Sequence, residues 1–314
     1  MKRQQAFINK DNKMLKGGLH CHTTRSDGKG EPAEVEKLHK ENGYDFLAIT
    51  DHRRYNYRDF APELDLLIIP GMEFDNGRSM YFDGGRRCFH TICLGPKKED
   101  GNPYIQFEES DKLDSADAPD QEAYQPYLDE LHRGKNLTIY CHPEWSSTPA
   151  RYFDKMQGNF AMEIWNTGSV SDCDSDKDAA YWDELLGMGN KIYGVATDDG
   201  HGMDQHCKGW VMVNAKKDVN SILKALEAGE FYSSCGPEIY DFYVEDGKAV
   251  LECSPVSCVR LHSDGHATKV LRSEDGSITR AQTQLGSLPF KYVRVSVIDK
   301  DGKMAWTNPI FLED

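Results

Sequence analysis

The feature that most constrains the fold is an alternation, from Leu19 to about Trp210, of short apolar runs with amphipathic stretches. The runs are typical of buried strands, and they read GLHCH, DFLAITDH, LLIIPGMEF, RCFHTICLG, NLTIYCHPEW, FAMEIWN and NKIYGVATDDGH. Helical patterns stand between or after them, in EPAEVEKLHKENG, QEAYQPYLDELHRG, KDAAYWDELLGMG and DVNSILKALEAG. Strands that alternate with helices predict βα units, and therefore an α/β fold with a mostly parallel sheet or barrel.

The pattern changes after about Cys235, where helical periodicity is lost. Runs such as EIYDFYVEDGKAVLECS and YVRVSVIDKDGKMAWTNPIFL contain Asp-Gly turns, which indicate antiparallel strands. We therefore predict a barrel domain over residues 1–235 and a small all-β sandwich domain over residues 236–314. Within the barrel, the acidic, turn-rich segment from Pro96 to Gln125 predicts an insertion loop or lid.

Imidazole and carboxylate side chains stand at or near the ends of the apolar runs. His20 and His22 occupy alternate positions of the first run, so both rings can face one side of a strand. The carboxyl ends of the strands gather on one face of a parallel α/β barrel, which is where its active site forms. The residues expected on this face are His20, His22, Asp51, His52, Glu73, His90, His142, Asp198, Asp199 and His201.

This set of donors predicts a metal centre. Neutral imidazoles and carboxylates are ligands for Zn, Mn or Fe, and the set is larger than one tetrahedral ion requires. We therefore expect two or three divalent metal ions that share ligands, with Glu73 as the bridging carboxylate. Ions held this close clamp both oxygens of a displacement at phosphorus and lower the pKa of a bound water to near neutrality.

Five motifs, taken in order, resemble those of the PHP (polymerase and histidinol phosphatase) family of metal-dependent phosphoesterases. They are LHCHTTRSDG, ITDH, GMEF, YCHPEW and ATDDGH, and the resemblance covers about Lys16 to Ser234. It implies a distorted (β/α)7 barrel with a two- or three-metal site. Carried over by position, the metal ligands that it implies are His20, His22, Asp27, His52, Glu73, His90, His142, Asp199 and His201.

The residues expected to act in catalysis are Glu73, Asp199, His201, Arg53 and Arg54. The two arginines follow the ITDH motif, where relatives often carry small polar residues, and we expect them to bind substrate phosphate. A second departure from the family pattern is the polar, Gly-rich stretch between Glu73 and His90, which lie 17 positions apart.

Several other residues near this face have both a structural and a functional interpretation. Arg25 is either a solvated charge or a phosphate contact, and Trp145 and Asn166 are either structural or contact the substrate. We expect Asp51 and Asp198 to orient neighbouring side chains rather than to bind metal. Surface or structural positions are expected for His39, His132, His206, His262 and His266.

Charge and composition limit the partners of the chain. A net charge of −15 argues against binding long nucleic acid through the overall field. No apolar run approaches the ~20 residues of a membrane span, and the basic N-terminus lacks the apolar region of a signal peptide. The cysteines, nine in number, include no Cys-x-x-Cys pair, which favours a reducing compartment. We therefore predict a cytoplasmic protein; no sequence feature defines its oligomeric state.

The residues and the resemblance together predict a metal-dependent phosphoesterase that hydrolyses a small phosphate ester with metal-activated water. Sugar, nucleotide and histidinol phosphates all fit as its small phosphorylated substrate. One alternative is an amidohydrolase-like enzyme that opens a C–N or lactone bond, although no strand end offers the lysine that such enzymes commonly carboxylate as a metal bridge. The other alternative is a protein that binds a glycan or another partner and in which the metal is structural.

Overall fold

The computed structural model of the chain describes residues 3–7, 14–77, 80–82, 85–96, 112–175, 177–264, 266–285 and 291–312. Its helices are α1 (Pro32–Glu41), α2 (Gln121–Arg133), α3 (Thr167–Cys173), α4 (Asp178–Gly187) and α5 (Val219–Glu227). The strands that precede α5 are β1 (Gln4–Gln5), β2 (Leu15–Gly18), β3 (Phe46–Leu47), β4 (Leu67–Ile68), β5 (Gly71–Asp75), β6 (Met80–Phe82), β7 (Gly85–Arg87), β8 (His90–Leu94), β9 (Leu137–Tyr140), β10 (Asn159–Asn166), β11 (Tyr193–Thr197) and β12 (Trp210–Val213). The strands that follow α5 are β13 (Phe231–Ser234), β14 (Ile239–Glu245), β15 (Lys248–Val256), β16 (Cys258–Ser263), β17 (His266–Arg272), β18 (Ile278–Gln284), β19 (Tyr292–Ile298), β20 (Met304–Thr307) and β21 (Ile310–Phe311).

Helix α1 shows how the local sequence sets the ends of an element. Pro32 takes the first helical position, where its missing N–H is not needed, and Glu31 and Glu34 form a reciprocal capping box. The helix ends at Glu41, and Gly43 then adopts a φ of +78°, a left-handed conformation that favours glycine. The helix predicted in EPAEVEKLHKENG is therefore confirmed.

Most of the described strands belong to two hydrogen-bonded sheets on which the predicted site is built. One is five-stranded, in the order β11-β10-β9-β8-β5, and the other is ten-stranded, in the order β17-β16-β19-β20-β13-β12-β2-β3-β4 with β21 beside β19. Isolated bridges from Cys21 to Gly200 and from His52 to Glu73 connect the two sheets. The chain therefore has a barrel-like α/β region followed by an additional β region. This agrees with the prediction of an α/β fold that is followed by antiparallel strands.

Two observations concern the expectation of a distorted (β/α)7 barrel with mostly parallel strands. Among the described residues, the sheets do not close into one continuous hydrogen-bonded barrel. At the seams, single backbone hydrogen bonds link the two sheets: the N–H of Arg53 donates to the carbonyl of Glu73 over 2.7 Å, and the N–H of Asp199 donates to the carbonyl of His20 over 3.0 Å. In addition, β8 pairs antiparallel with both β5 and β9, so this part of the sheet is mixed.

The antiparallel course of β8 follows from the polar stretch that separates Glu73 from His90. Within it, β6 and β7 pair as an antiparallel hairpin, so that the chain returns alongside β5. The first residue of β8, His90, therefore pairs with the last residue of β5, Asp75. Because β8 runs in the opposite direction, its beginning lies at the same edge as the carboxyl end of β5.

The C-terminal strands pair antiparallel, as predicted for a sandwich. One sheet has the order β1-β14-β15-β18, and the other strands extend the ten-stranded sheet. The two sheets share an apolar cluster that includes Phe7, Phe242 and Val295. Hydrogen bonds cross the domain boundary that we placed at residue 235, because β13 pairs with β20. The boundary itself stays a prediction.

An ion pair between a buried arginine and a partly exposed aspartate joins the C-terminal strands to helix α4. Arg294 on β19 donates hydrogen bonds from Nε and Nη2 to the carboxylate of Asp183, over distances of 2.9 and 2.6 Å. The guanidinium group also lies over the ring of Trp182, 4.6 Å from its centroid. These contacts fix how β19 packs against α4.

The insertion loop predicted from Pro96 to Gln125 lies largely outside the described residues, which omit 97–111. Residues 112–120 form neither helix nor strand, and α2 then begins at Gln121, so the last predicted loop residues are helical. All nine cysteines lie within the described ranges as free thiols. Among the helices that the structure describes, none combines the length and the apolar character needed to cross a membrane.

Candidate metal centre

The first two histidines follow strand β2 and lie between the ends of two neighbouring strands. The backbone N–H of His22 donates to the carbonyl of Gly200 over 3.1 Å, and that of Thr50 donates to the carbonyl of Cys21 over 2.9 Å. These bonds tie the His-x-His segment to the chain that follows β11 and β3. His20 and His22 consequently face the same place, with their Nε2 atoms 3.2 Å apart.

Glu73 lies within β5, and its buried carboxylate is surrounded by imidazole rings. Nδ1 of His52 lies 2.9 Å from Oε2, Nδ1 of His90 lies 2.8 Å from Oε1, and Nε2 of His142 lies 3.4 Å from Oε1. Nε2 of His22 lies 3.4 Å from Oε2. Although burial alone would raise the pKa of Glu73, the charges of His52 and His90 hold that pKa well below its usual range. Glu73 thus contacts histidines from several different strands.

Asp199 is a second point on which imidazoles converge. Its Oδ1 lies 3.0 Å from Nε2 of His22 and 3.2 Å from Nε2 of His20, and its Oδ2 accepts a hydrogen bond of 3.1 Å from Asn166. Burial alone would raise the pKa of Asp199, but His20 and His22 hold that pKa well below its usual range. Nδ1 of His201 lies 3.0 Å from the backbone oxygen of Asp199, which keeps this ring beside the cluster.

Asp27 lies at the solvent side of the cluster and is partly exposed. Its carboxylate lies 3.4 Å from Nε2 of His201 and 3.6 Å from Nε2 of His52. Nδ1 of His22 is also 3.6 Å away. Asp27 therefore contacts two partly exposed rings, His52 and His201, and the buried ring of His22.

The structure brings all of the predicted metal ligands together. They form overlapping groups whose donor atoms lie within 4.8 Å of one another, and these groups include His22-Asp27-His52-His201, His20-His22-Asp199 and His52-Glu73-His90. Two buried oxygens, Oε2 of Glu73 and Oδ1 of Asp199, accept no well-formed hydrogen bond from the residues that the structure describes, although imidazole nitrogens lie close to both. Buried lone pairs of this kind, among neutral or anionic donors, are available to a cation. The residues present therefore fit bound divalent metal ions.

Two adjoining cavities, of about 350 and 300 Å³, open onto the cluster. Both include Trp145, which is 44% exposed and whose ring lies edge-on to His142 with 4.9 Å between the centroids. The smaller cavity is lined by two cationic side chains, Arg53 and Lys112. Volumes in this range are typical of sites for small molecules.

The three arginines considered in the sequence occupy different positions. Arg53 lines the cavity, with Nη1 3.5 Å from the carboxylate of Asp75. Within the described ranges, neither Arg54 nor Arg25 lines either cavity. Arg25 instead donates a hydrogen bond to the side chain of Asn56. The structure thus brings one of the two predicted phosphate-binding arginines to the cluster.

Glu163, on β10, is the most informative residue that sequence reasoning missed. Its fully buried carboxylate accepts four hydrogen bonds. Nδ1 of His20 (2.7 Å) and Oγ1 of Thr197 (2.6 Å) donate to Oε1, and the backbone N–H of His142 and Nδ2 of Asn166 (both 2.9 Å) donate to Oε2. Because a carboxylate only accepts, this contact places a proton on Nδ1 of His20 and turns Nε2 towards the cluster. A glutamate inside the apolar run FAMEIWN was the available signal, since an unpaired buried carboxylate is costly.

Three further residues at the site were not singled out from the sequence. Asp75 lies 3.1 Å from Nδ1 of His52, and its position two residues after Glu73 on one strand was a usable signal. Lys112 belongs to the acidic insertion and carried no signal. Cys141 lies within reach of His20 and Glu73.

Asp51 accepts hydrogen bonds from the segment that carries Asp27. The backbone N–H of Thr23 and Oγ of Ser26 donate to its Oδ1 over 2.7 Å each, and Oγ1 of Thr23 and Nδ2 of Asn56 donate to its Oδ2 over 2.8 and 3.0 Å. These bonds hold the Thr23–Ser26 turn in place. Asp51 thus orients neighbouring chain and lies behind the histidine cluster.

Comparison with known proteins gives structural neighbours only, because no family profile and no curated protein sequence matches the chain. The chain is similar to a two-domain protein of Bacteroides vulgatus that contains a predicted PHP-like metal-dependent phosphoesterase (TM-score 0.49, 15% identity, 99% of each chain covered). It is also similar to an amidohydrolase of Chromobacterium violaceum with bound sulfate and no metal (TM-score 0.42, 14% identity, 60% of this chain and 88% of the other). A third likeness is to a candidate metal-dependent phosphoesterase of Bifidobacterium adolescentis (TM-score 0.41, 15% identity, 61% of this chain and 90% of the other). At these identities the likeness concerns the fold alone.

Proposed function

We propose that the chain is a metal-dependent phosphoesterase that hydrolyses a small phosphate ester of the sugar, nucleotide or histidinol phosphate type. The observation that carries this proposal is the convergence of imidazoles on Glu73 and Asp199, each of which keeps one buried oxygen without a well-formed hydrogen bond in the described part of the chain. We infer two or three divalent ions of the Zn, Mn or Fe class, held by the histidines and carboxylates of the candidate metal centre. When bound, such ions supply Lewis acidity and lower the pKa of water.

The residues around the cluster support an anionic substrate. Arg53 and Lys112 place positive charge in the cavity beside His52 and His90, in a chain whose net charge is −15. The backbone of Arg53 is fixed, because its N–H donates to the carbonyl of Glu73 over 2.7 Å. Phosphate oxygens match these cations in charge, whereas a neutral amide or lactone does not. This favours a phosphate ester over the C–N or lactone alternative.

The cavity mouth supports a small organic leaving group. Trp145 presents an exposed indole face next to His90 and His142, with centroid distances of 5.9 and 4.9 Å. A flat apolar ring in this position can stack on the sugar or base to which the phosphate is attached. The cavity volumes of about 300 and 350 Å³ suit a metabolite rather than a polymer.

The proposal is tested by measuring phosphate release from a panel of sugar phosphates, nucleoside monophosphates and histidinol phosphate. The purified chain is first dialysed against Mn²⁺, Zn²⁺ or Fe²⁺. His20→Ala and Asp199→Asn are each expected to lower kcat/KM by more than about 100-fold, because residues that merely support metal ligands are already worth 10- to 100-fold. The matched control is His132→Ala, since His132 contacts Thr138 and lies outside the cluster.

Three results contradict the proposal. The first is a metal-loaded protein that releases phosphate from no ester in the panel. The second is turnover of a lactone or amide panel instead, which identifies the amidohydrolase-like alternative. The third is activity that His20→Ala and Asp199→Asn leave at the level of His132→Ala.

A further inference from the structure

A second group of buried ligand-type side chains lies one residue along the chain from Asp199. His39 belongs to α1, Asp198 follows β11, and His206 lies in the loop that leads to β12. One donor atom of each lies within 4.8 Å of the other two, and none of the three residues is more than 3% exposed. These residues share no member with the candidate metal centre described above.

His39 is held in the tautomer that a metal ligand requires. Its Nδ1 lies 2.8 Å from the backbone carbonyl of Val35, one helical turn earlier in α1. A carbonyl only accepts, so the proton resides on Nδ1 and the lone pair resides on Nε2. Histidines that bind metals typically donate their other ring N–H to a carbonyl or carboxylate in this way.

His206 is buried with neither ring nitrogen hydrogen-bonded. Both Nδ1 and Nε2 lack a partner within the described part of the chain, although the ring centroid lies 5.4 Å from that of His39. The ring packs directly on Gly200, where an added Cβ would come within 2.5 Å of Nδ1, so the ring is confined. Leaving a buried polar group without a partner costs about 1–3 kcal/mol, and such a group calls for an explanation such as a bound ion or water.

Asp198 supplies the anionic donor. Its Oδ1 accepts hydrogen bonds from Oγ1 of Thr167 and from the backbone N–H groups of Lys208 and Gly209, at 2.7 to 3.0 Å. Its Oδ2 accepts one bond, of 2.6 Å, from the N–H of Cys207. One lone pair of Oδ2 is therefore available, and no lysine or arginine in the described ranges forms an ion pair with Asp198.

We propose that His39, Asp198 and His206 bind a buried divalent ion of the zinc class, additional to the ions of the candidate metal centre. Two imidazoles and one carboxylate form a typical zinc donor set and leave one position for a water molecule. Donor atoms around a tetrahedral zinc are about 3.4 Å apart at the usual bond lengths, a separation that the 4.8 Å limit of the cluster accommodates. The ion would tie α1 and the loop that carries His206 to the end of β11.

The ionisation of the two histidines is consistent with this site. Burial lowers the pKa of His39 to about 4 and that of His206 to about 3, so that both rings are neutral at physiological pH. A neutral imidazole is the form that binds a metal ion, because the ligand must offer a lone pair.

The test combines anomalous diffraction with metal counting. The protein is dialysed against zinc chloride and then against metal-free buffer, and it is crystallised as the full chain. Data collected on both sides of the zinc absorption edge are expected to show a peak among His39, Asp198 and His206, separate from any peak at Glu73 and Asp199. Metal analysis of His206→Gln and of His39→Gln should each show the loss of one zinc per chain.

His262→Gln is the matched control, because His262 is a partly buried histidine whose Nε2 is already paired with Ser296 over 2.9 Å. It should keep the wild-type zinc content. The inference is overturned by wild-type crystals with no edge-dependent peak at the cluster, or by a His39→Gln variant with unchanged zinc content. It does not rest on the proposed function: a peak at this cluster alone, with none at Glu73, supports the second site while it contradicts the first.

Discussion

The carboxylate of Glu163 sets the protonation of a predicted metal ligand, so its replacement by glutamine tests the logic of the site. The four hydrogen bonds that it accepts occupy all of its lone pairs. Glutamine keeps the shape of the side chain but presents an NH₂ group to two of these donors. Whichever end carries the amide, two donor-to-donor contacts must be relieved.

The rearrangement that disturbs the fold least moves the proton of the His20 ring from Nδ1 to Nε2. Asn166 cannot easily reverse its amide, because its Oδ1 caps helix α3 by accepting from the N–H of Ser169 over 2.9 Å. The hydroxyl of Thr197 can instead rotate towards the carbonyl of Trp165, 3.4 Å away. In the Glu163→Gln variant, the new NH₂ group is therefore expected to replace Oε1 and to donate to Nδ1 of His20, which moves the proton of that ring to Nε2. A protonated Nε2 cannot bind a metal ion.

The expected effect of Glu163→Gln is a 10- to 100-fold weaker metal affinity, which corresponds to about 1.4–2.7 kcal/mol. The assay is a competition titration of metal-free protein with Zn²⁺ or Mn²⁺ against a chelating dye. Glu36→Gln is the matched control, since Glu36 is also a buried glutamate but accepts from the backbone N–H of Phe60, outside the cluster. The reasoning is refuted by a Glu163→Gln affinity within twofold of wild type, or by an equal loss in Glu36→Gln.

Three further predictions test the cavity, the packing of the C-terminal strands and a buried acid. Arg53→Ala should lower kcat/KM for phosphate esters by 10- to 100-fold, because it removes a charge-assisted contact in the cavity. Arg54→Ala should lower kcat/KM by less than about threefold. Equal losses for the two variants in steady-state assays would contradict the placement of Arg53 in the cavity. Asp183→Ala removes the carboxylate that pairs with the buried Arg294, so urea unfolding should show a loss of about 2–4 kcal/mol, and a loss below about 1 kcal/mol would show that the pair is not stabilising. Burial raises the pKa of Glu36 from 4.5 to about 7. Between these pH values the folded chain therefore binds more protons than the unfolded chain, and the stability of the wild type declines as the pH rises. Glu36→Gln should therefore gain stability relative to wild type between pH 5 and pH 8, and an unchanged difference in the free energy of unfolding would contradict the raised pKa.

The parts of the fold that could be predicted are those in which local sequence and burial agree. The apolar runs and the capping residues of α1 predicted the strands and helices in the correct order. The ligand-type residues could be identified because most of them follow such runs. His90 was predicted to lie within the apolar run RCFHTICLG, and the structure places it at the beginning of β8. It joins the others because β8 runs antiparallel to β5, and the direction of a strand depends on long-range pairing that a single sequence does not reveal.

Glu163 was missed because it acts through other residues. Its partner His20 lies 143 positions earlier in the chain, and its partner Asn166 is the last residue of its own strand. Lys112 reaches the cavity from an insertion whose composition predicts only a loop.

Asp198 and Asp199 follow the same strand end but contact different groups of histidines. In an extended strand, consecutive side chains point to opposite faces, so the two carboxylates separate as they leave β11. Asp199 then takes a φ of +49° and contacts His20 and His22, while Asp198 accepts the N–H groups of the following loop and approaches His39 and His206. The spacing of the motif could identify the residue that contacts His20 and His22. It could not reveal that its neighbour meets two other buried histidines, because one comes from α1 and the other from a loop without a pattern.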